Sequence, residues 1–352
     1  MLIARSVHPL PGEAERRERL LSLVDGFSSR RLLVIGDLIA DEFIYGEVAR
    51  VSREAPVLIL KYDATEMVGG GAANAANNVA VLGGGARLLG MIGREPEARR
   101  LVKSLQRGVD RRHLVSDGAY RTPVKTRILA GGVHAARQQV VRIDREDVLP
   151  DGPDLREALA ERVRAACAGA SVLVLSDYGY GSSRPEWIGV ARAASPGIRV
   201  LVDSRFRLAE YAGADAATPN EEELERACGE SLDDSEDRFE RAGRALLARL
   251  SSPALLVTRG SRGMALLRPD AATLSIPVSG TAQVADVTGA GDTVIATFAL
   301  ALAAGASFVE AALLSNFAGG VVVMKTGTAT VSPDELRAEI GRDPAFLEAI
   351  SA

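Results

Sequence analysis

Short apolar runs of strand length recur along this chain with helical patterns between them, and that alternation restricts its fold more than any other feature. Strand patterns occupy residues 31–37, 86–91, 171–176, 198–203, 216–218 and 254–258. Helical periodicity fills several of the intervals, notably 153–168, 221–227 and 238–250. Strand alternating with helix argues for parallel strands joined by crossovers, so the expected core is a mostly parallel sheet with helices on both faces. Several of these strands close on polar residues: Asp37, Asp177, Asp203 and Asn220. Ligands of open α/β sheets gather beyond the carboxyl ends of strands, which makes these positions candidate site walls.

The sharpest local signal is Asp286-Val-Thr-Gly-Ala-Gly-Asp292, a polar turn that runs into the apolar segment 293–304, read as a buried helix. Unpaired backbone N–H groups of Gly289, Ala290 and Gly291 at a helix N-terminus would make an anion site. A carboxylate there repels what the site attracts, unless Asp292 takes a proton from a hydroxyl while the amides hold a phosphoryl group in transfer. The plainer alternative is a glycine turn capped by an acid. Upstream lies Gly70-Gly71-Ala-Ala-Asn74-Ala-Ala-Asn77-Asn78. Its small residues let backbone approach a ligand, and Asn side chains offer donors and acceptors to hydroxyl groups. An Ala/Gly helix start is the alternative, with Gly83 and Gly93 at spacings that suit turns.

Composition narrows the functional classes. A length of 352 residues allows one large α/β domain or two smaller ones. The 47% hydrophobic and 25% charged content is ordinary for a globular enzyme, and a net charge of −4 gives no reason to expect nucleic acid or an anionic membrane as a partner. Cys167 and Cys228, the only cysteines, read as buried free thiols suited to a reducing cytoplasm. His8, His113 and His134 lack metal-ligand spacing. Residues 1–11 are broken by proline and followed by the charged run 13–19, unlike a signal peptide, and 293–304 is too short to span a bilayer.

The segments 70–78 and 286–292 together resemble the two signatures of the ribokinase-like (PfkB) carbohydrate kinase family. That resemblance implies a three-layer α/β sandwich with a central mostly parallel sheet and a small β lid. Its kinase domain would span 31–345 after a helical extension at 1–30. The lid segments, about 42–62 and 120–144, carry the β-rich stretches 57–60, 125–129 and 139–143, with Gly131-Gly132 as a hairpin turn. They are expected to cover the sugar and exclude water, the alternative being a peripheral sheet extension. The resemblance also implies a homodimer formed through the lid.

Residue by residue, the resemblance makes Asp292 the base and Gly289, Ala290 and Gly291 the amide nest. Asp41 matches the sugar-holding acid, joined by Gly70, Gly71, Asn74 and Asp177, while Asp37 either binds sugar or caps a turn. Asn220 and Glu223, in Thr218-Pro-Asn-Glu-Glu-Glu223, would organise Mg²⁺ and its waters near ATP; a helix start with acids in its first turn reads the same. Thr258, Gly260 and Gly263 would pass the nucleotide, with Asn316 on the adenine side and Lys325 and Gly327 closing its pocket. Asp286 and Thr288 are candidates for bounding a monovalent cation such as K⁺. In the lid, Lys125, Arg127, Arg137 and Arg142 favour an anionic substrate or are solvated charges.

The similarity narrows to one branch through Ser52-Arg-Glu-Ala-Pro-Val57, Lys125-x-Arg127, Gln138-Gln-Val-Val-Arg142-Ile-Asp144, Ser176-Asp-Tyr-Gly179 and Val331-Ser-Pro-Asp-Glu-Leu336. These resemble heptose 7-phosphate kinases, over roughly 31–340. That branch phosphorylates the anomeric oxygen of D-glycero-D-manno-heptose 7-phosphate with ATP, for lipopolysaccharide core precursors. Some relatives add an adenylyltransferase domain, for which a chain ending at Ala352 leaves no room. Two positions depart from the branch pattern: Tyr180 stands where a lysine is usual, and Asp203-Ser-Arg205 replaces Asp-Pro-Lys. The other readings open to this chain are a kinase of another sugar or a nucleoside, and a non-catalytic sugar or nucleotide sensor.

Overall fold

Leu32 and Val34 pack to one side of β1 (Arg31–Gly36) and Leu33 and Ile35 to the other, and all four are buried. A strand with both faces apolar needs a layer on each side, and the chain supplies both. The structure, a computed structural model, describes residues 13–131, 137–280 and 285–342. β1 lies inside a nine-stranded sheet. On one side of it come β4 (Gly85–Ile92) and β5 (Val109–Ser116), and on the other β8 (Val172–Asp177), β9 (Arg199–Ser204), β10 (Ala216–Ala217) and β11 (Leu255–Thr258), all parallel. Two antiparallel strands, β12 (Met264–Arg268) and β13 (Ala271–Ile276), finish that edge.

One face is covered by α1 (Glu13–Asp25), α2 (Ala72–Val81), α3 (Pro96–Ser104), α8 (Ala290–Ala303), α9 (Phe308–Val322) and α10 (Pro333–Arg342). The other carries α4 (Pro153–Ala166), α5 (Trp187–Ala194), α6 (Glu221–Cys228) and α7 (Glu236–Leu250). This is the ribokinase-like three-layer arrangement. α8 is apolar nearly all round and buried from Asp292 to Leu302, as a helix between two layers must be. It begins at Ala290 rather than 293, because the Ala-Gly-Asp segment forms its first turn.

The edge strands β5, β12 and β13 have no counterpart in the sequence reading. β5 (VDRRHLVS) is too charged to read as a strand, a common trait of sheet edges. A second sheet of four strands stands at the carboxyl end of β1, in the order β3 (Leu58–Gly71), β2 (Leu38–Val51), β6 (Val124–Gly131), β7 (Gln138–Arg145). β2 starts one residue after Asp37, so this sheet grows straight out of the core strand. Its root is buried and its far end exposed. Gly132 lies outside the described residues, although β6 and β7 pair antiparallel as a hairpin would.

Residues 1–12 of the expected extension are likewise outside the described part. α1 is no loose appendage: Leu20, Leu23 and Val24 are buried with Leu336 and Ile340 of α10, and Arg337 pairs with Asp25 at 2.8 Å. Among the described residues no helix is long and apolar enough to cross a membrane.

Candidate active site

The carboxyl ends of β8, β9 and β11, the root of the small sheet and the N-terminus of α8 enclose a cleft of 650 Å³. Gly289, Ala290, Gly291 and Asp292 all line it. Gly289 sits at φ +78°, and a Cβ there would come within 2.6 Å of the Asn74 amide nitrogen, so both conformation and space require glycine. The Ala290 N–H donates to the Val287 carbonyl at 3.2 Å. The open amides among the described residues are therefore those of Gly289, Gly291 and Asp292, with Asp292 taking the place expected for Ala290, whose N–H is used within the turn.

Asp292 is 3% exposed. Its Oδ2 accepts from the Asn74 amide at 2.8 Å and its Oδ1 from the Tyr178 hydroxyl at 3.2 Å. Burial pushes its pKa up to about 7; the nearby Asp41 charge adds to that, while the two hydrogen bonds oppose it. A carboxyl poised near neutrality beside open amides can take a proton from a hydroxyl whose oxygen then attacks a phosphoryl group. Asn74, expected on sugar hydroxyls, is instead turned onto Asp292.

Asp37 does not line the cleft. Its carboxylate accepts backbone N–H groups from Tyr178, Tyr180 and Ser182 at 2.8–3.0 Å, so the turn-capping alternative describes it. Burial and the Asp177 charge nevertheless raise its pKa to about 6. Asp41 lines the cleft and pairs with Arg127. Gly70 does not itself line the cleft but packs against this acid, where a Cβ would sit 2.2 Å from Asp41 Oδ2; Gly71 does line the cleft. Asp177 also lines it, with its carboxylate satisfied by Ser204, Gly179 and Arg207. Arg142 is neutralised by Asp144 at the wall. Lys125 and Arg205 are the two lining cations that form no ion pair among the described residues. Burial first, then the charges of Arg205 and Arg142, hold the Lys125 pKa below its ordinary value. Tyr180 is not at the wall: its hydroxyl donates to Glu146 at 2.6 Å.

Asn220, Glu223, Thr258, Gly260, Gly263 and Asn316 line the opposite end. Asn220 and Glu223 form a capping box on α6, each side chain bonded to the other's backbone N–H, so the helix-start reading is correct as geometry. Burial, then the Glu223 charge, hold the Asp203 pKa well above its ordinary value, and burial raises that of Glu223. Two crowded carboxyls beside a buried, unpartnered Thr218 hydroxyl are a hard-oxygen donor set, which fits a divalent cation held partly by phosphate oxygens. Arg259, buried, ties the Gly260–Gly263 loop down by pairing with Glu221 and Glu236 and by stacking on Phe239 at 3.9 Å.

Three expected residues stand back from the cleft. The Lys325 ammonium bonds the Thr330 carbonyl and Glu335, both at 2.7 Å. Asp286 accepts from the N–H groups of Thr288 and Gly327, at 2.9 and 3.0 Å, which pins two loops together. Thr288 itself lines the cleft. Sequence reasoning missed Tyr178 as a site residue, whereas Asp203, a polar strand end expected as a candidate site wall, does line the cleft.

A family profile described as pfkB family carbohydrate kinase matches residues 29–335. Bifunctional protein HldE of Methylococcus capsulatus is 43% identical over 320 residues, 89% of this chain and 64% of that protein. Bifunctional protein HldE of Gluconacetobacter diazotrophicus is 42% identical over 323 residues, 91% and 65% of the two lengths. The chain thus spans just under two thirds of these curated relatives. In fold it is similar to Arabidopsis thaliana ribokinase complexed with ribose and ATP, with a TM-score of 0.68 at 21% identity over 89% of this chain and 99% of that one. A profile match that runs from β1 into α10 and takes in the glycine turn of α8 leaves no second assignment: the chain belongs to the pfkB family of carbohydrate kinases, phosphotransferases with an alcohol acceptor.

Proposed function

We propose that this kinase moves the γ-phosphoryl group of ATP to the anomeric hydroxyl of D-glycero-D-manno-heptose 7-phosphate, giving the 1,7-bisphosphate. The observation that carries the substrate's phosphate is the pair Lys125 and Arg205, cleft cations left without a carboxylate among the described residues. A dianion entering a partly dry cleft requires such charge. The branch motifs in 52–57, 138–144 and 176–179 support the heptose. Tyr180, which stands where a lysine is usual in that branch, turns its hydroxyl to Glu146 and does not line the cleft, so the charge for the phosphate falls to Lys125 and Arg205.

In this reading Asp292 removes the hydroxyl proton as the oxygen attacks phosphorus, and the amides of Gly289 and Gly291 hold the phosphoryl oxygens in flight. Asp41 and Gly71 meet sugar hydroxyls. Asn316 and the Gly260–Gly263 loop bound the nucleotide. Glu223, with Asn220 and Asp203, would hold Mg²⁺, which when bound neutralises charge on the phosphates. The small sheet covers the sugar and, through its exposed Val140, Val141 and Ile143, pairs with a second copy. A cytoplasmic setting suits an ATP-dependent reaction.

A coupled ADP-release screen against phosphorylated and free sugars tests the reading. Turnover of the heptose 7-phosphate well above free hexoses, pentoses and nucleosides is expected. Preference for a free sugar or nucleoside would overturn the phosphate subsite, and no turnover of any would leave the sensor reading.

A further inference from the structure

The reaction as proposed asks Asp292 to present one carboxylate oxygen to a hydroxyl, yet nothing in a short acid side chain fixes the plane of its carboxylate. The surroundings do. Asn74 and Asn78 lie one helical turn apart on α2, on the side that meets α8. The Asn78 amide nitrogen donates to the Asn74 backbone carbonyl at 3.1 Å, and a carbonyl can only accept, so that amide has one possible orientation. Its nitrogen then also meets Asn74 Oδ1 at 3.1 Å, while its oxygen accepts the Thr293 hydroxyl at 3.0 Å. With its oxygen thus engaged, Asn74 has only its NH₂ to turn to Asp292, at 2.8 Å. The chain of bonds leaves α8 at Thr293 and returns to it at Asp292.

The other carboxylate oxygen is met by Tyr178. Asp37 anchors this residue by its backbone N–H at 2.8 Å, its ring lies 5.4 Å from the Lys125 ammonium, and its hydroxyl donates to Asp292 Oδ1. We infer that Asn78 and Tyr178 are positioning residues, the two sides of a clamp that holds the carboxylate of the base in one plane. The inference rests on Asp292 being that base. Each oxygen keeps a second lone pair for the incoming hydroxyl, so the clamp need not open for the proton to move. Both donors also favour the ionised form that can accept a proton. The other charges that act on Asp292 are Asp41 on β2, Lys125 on β6 and Asp203 on β9, none of which the clamp variants remove.

The test is the pH dependence of kcat/KM with ATP and D-glycero-D-manno-heptose 7-phosphate in Tyr178→Phe and Asn78→Ala. Losing a donor should move the acidic limb upward by about one pH unit, so that the deficit is greatest near pH 6 and shrinks as pH rises. A loss of equal size at every pH, with the limb unmoved, would overturn the clamp. Tyr178→Phe keeps the ring and guards against a misfolded Asn78→Ala. A second measurement needs no substrate: ¹³Cγ-aspartate NMR, with the Asp292 signal identified by its loss in Asp292→Asn. An upward titration shift in Tyr178→Phe supports the clamp, and an unshifted one overturns it. Absence of turnover in the parent protein would defeat the heptose reading alone, and the NMR titration would then decide the clamp by itself.

Discussion

At the scale of single residues, Asp292 combines requirements that conflict in water: it must be ionised, desolvated and close to a phosphoryl group. Asp292→Asn keeps the shape and removes the proton acceptor. It should lower kcat by about 10²–10⁴-fold with ATP affinity nearly intact, as read by coupled ADP release and calorimetry. In the parent protein kcat/KM should fall about tenfold per unit below pH 7, the value to which burial pushes this carboxyl. Stability carries the opposite sign. The folded pKa of about 7 lies above the ordinary 3.8, so the folded state holds a proton that the unfolded chain has already released between those values. Stability from this group is full below about pH 4 and is lost as pH rises to 7. Asp292→Asn should therefore melt higher than the parent at pH 8, with the gap closing toward pH 5. A variant that melts lower at pH 8 would show that its hydrogen bonds outweigh its burial.

Among elements, the small sheet and the nucleotide loop divide the work. β6 delivers two cations with different fates: Arg127 is spent on Asp41, whereas Lys125 is unpaired among the described residues. Lys125→Ala should raise KM for a sugar phosphate roughly tenfold or more while barely affecting a free sugar, since a charged hydrogen bond is worth about 1.5–3 kcal/mol. Equal effects on both substrates would remove Lys125 from the phosphate subsite. On the nucleotide side, Arg259 holds the Gly260–Gly263 loop against α6 and α7 through Glu221 and Glu236. Arg259→Ala removes the ion pair to Glu236, leaves Glu221 with Arg262 and uncovers Phe239. An ATP KM several-fold higher, with the sugar KM steady, is the expected outcome of steady-state kinetics.

On the scale of the whole molecule, two surfaces lie outside the catalytic fold. α1 completes the core at α10, so Leu20→Ala should cost about 2–5 kcal/mol in denaturant unfolding without changing KM for either substrate. Unchanged stability would mean that α1 merely rests on the surface. The small sheet exposes apolar side chains on strands that already have one sheet neighbour, including Val141 and Ile143 at 46% and 51%. If that face pairs two copies, Ile143→Glu should yield monomers in light scattering. A parent protein that is itself monomeric would refute the pairing.

What the sequence determined by itself is local or periodic. Alternating strands and helices specify the layered sheet, because burial on both faces demands continuous apolar strands. The glycine-acid turn of α8 is legible because donors and acid are adjacent in the chain, so no long-range geometry intervenes. Asn220 and Glu223 were visible for the same reason. Only the tertiary structure decided the fate of groups whose partners are far away in sequence. Asp37 became a cap because three amides from 178–182 converge on it, Asn74 turned to Asp292 because α2 packs on α8, and Lys325 was drawn off by Glu335. Each of these side chains had several chemically acceptable partners. Which one it meets depends on distances between strands and helices that the packing of the layers sets and residue spacing does not encode.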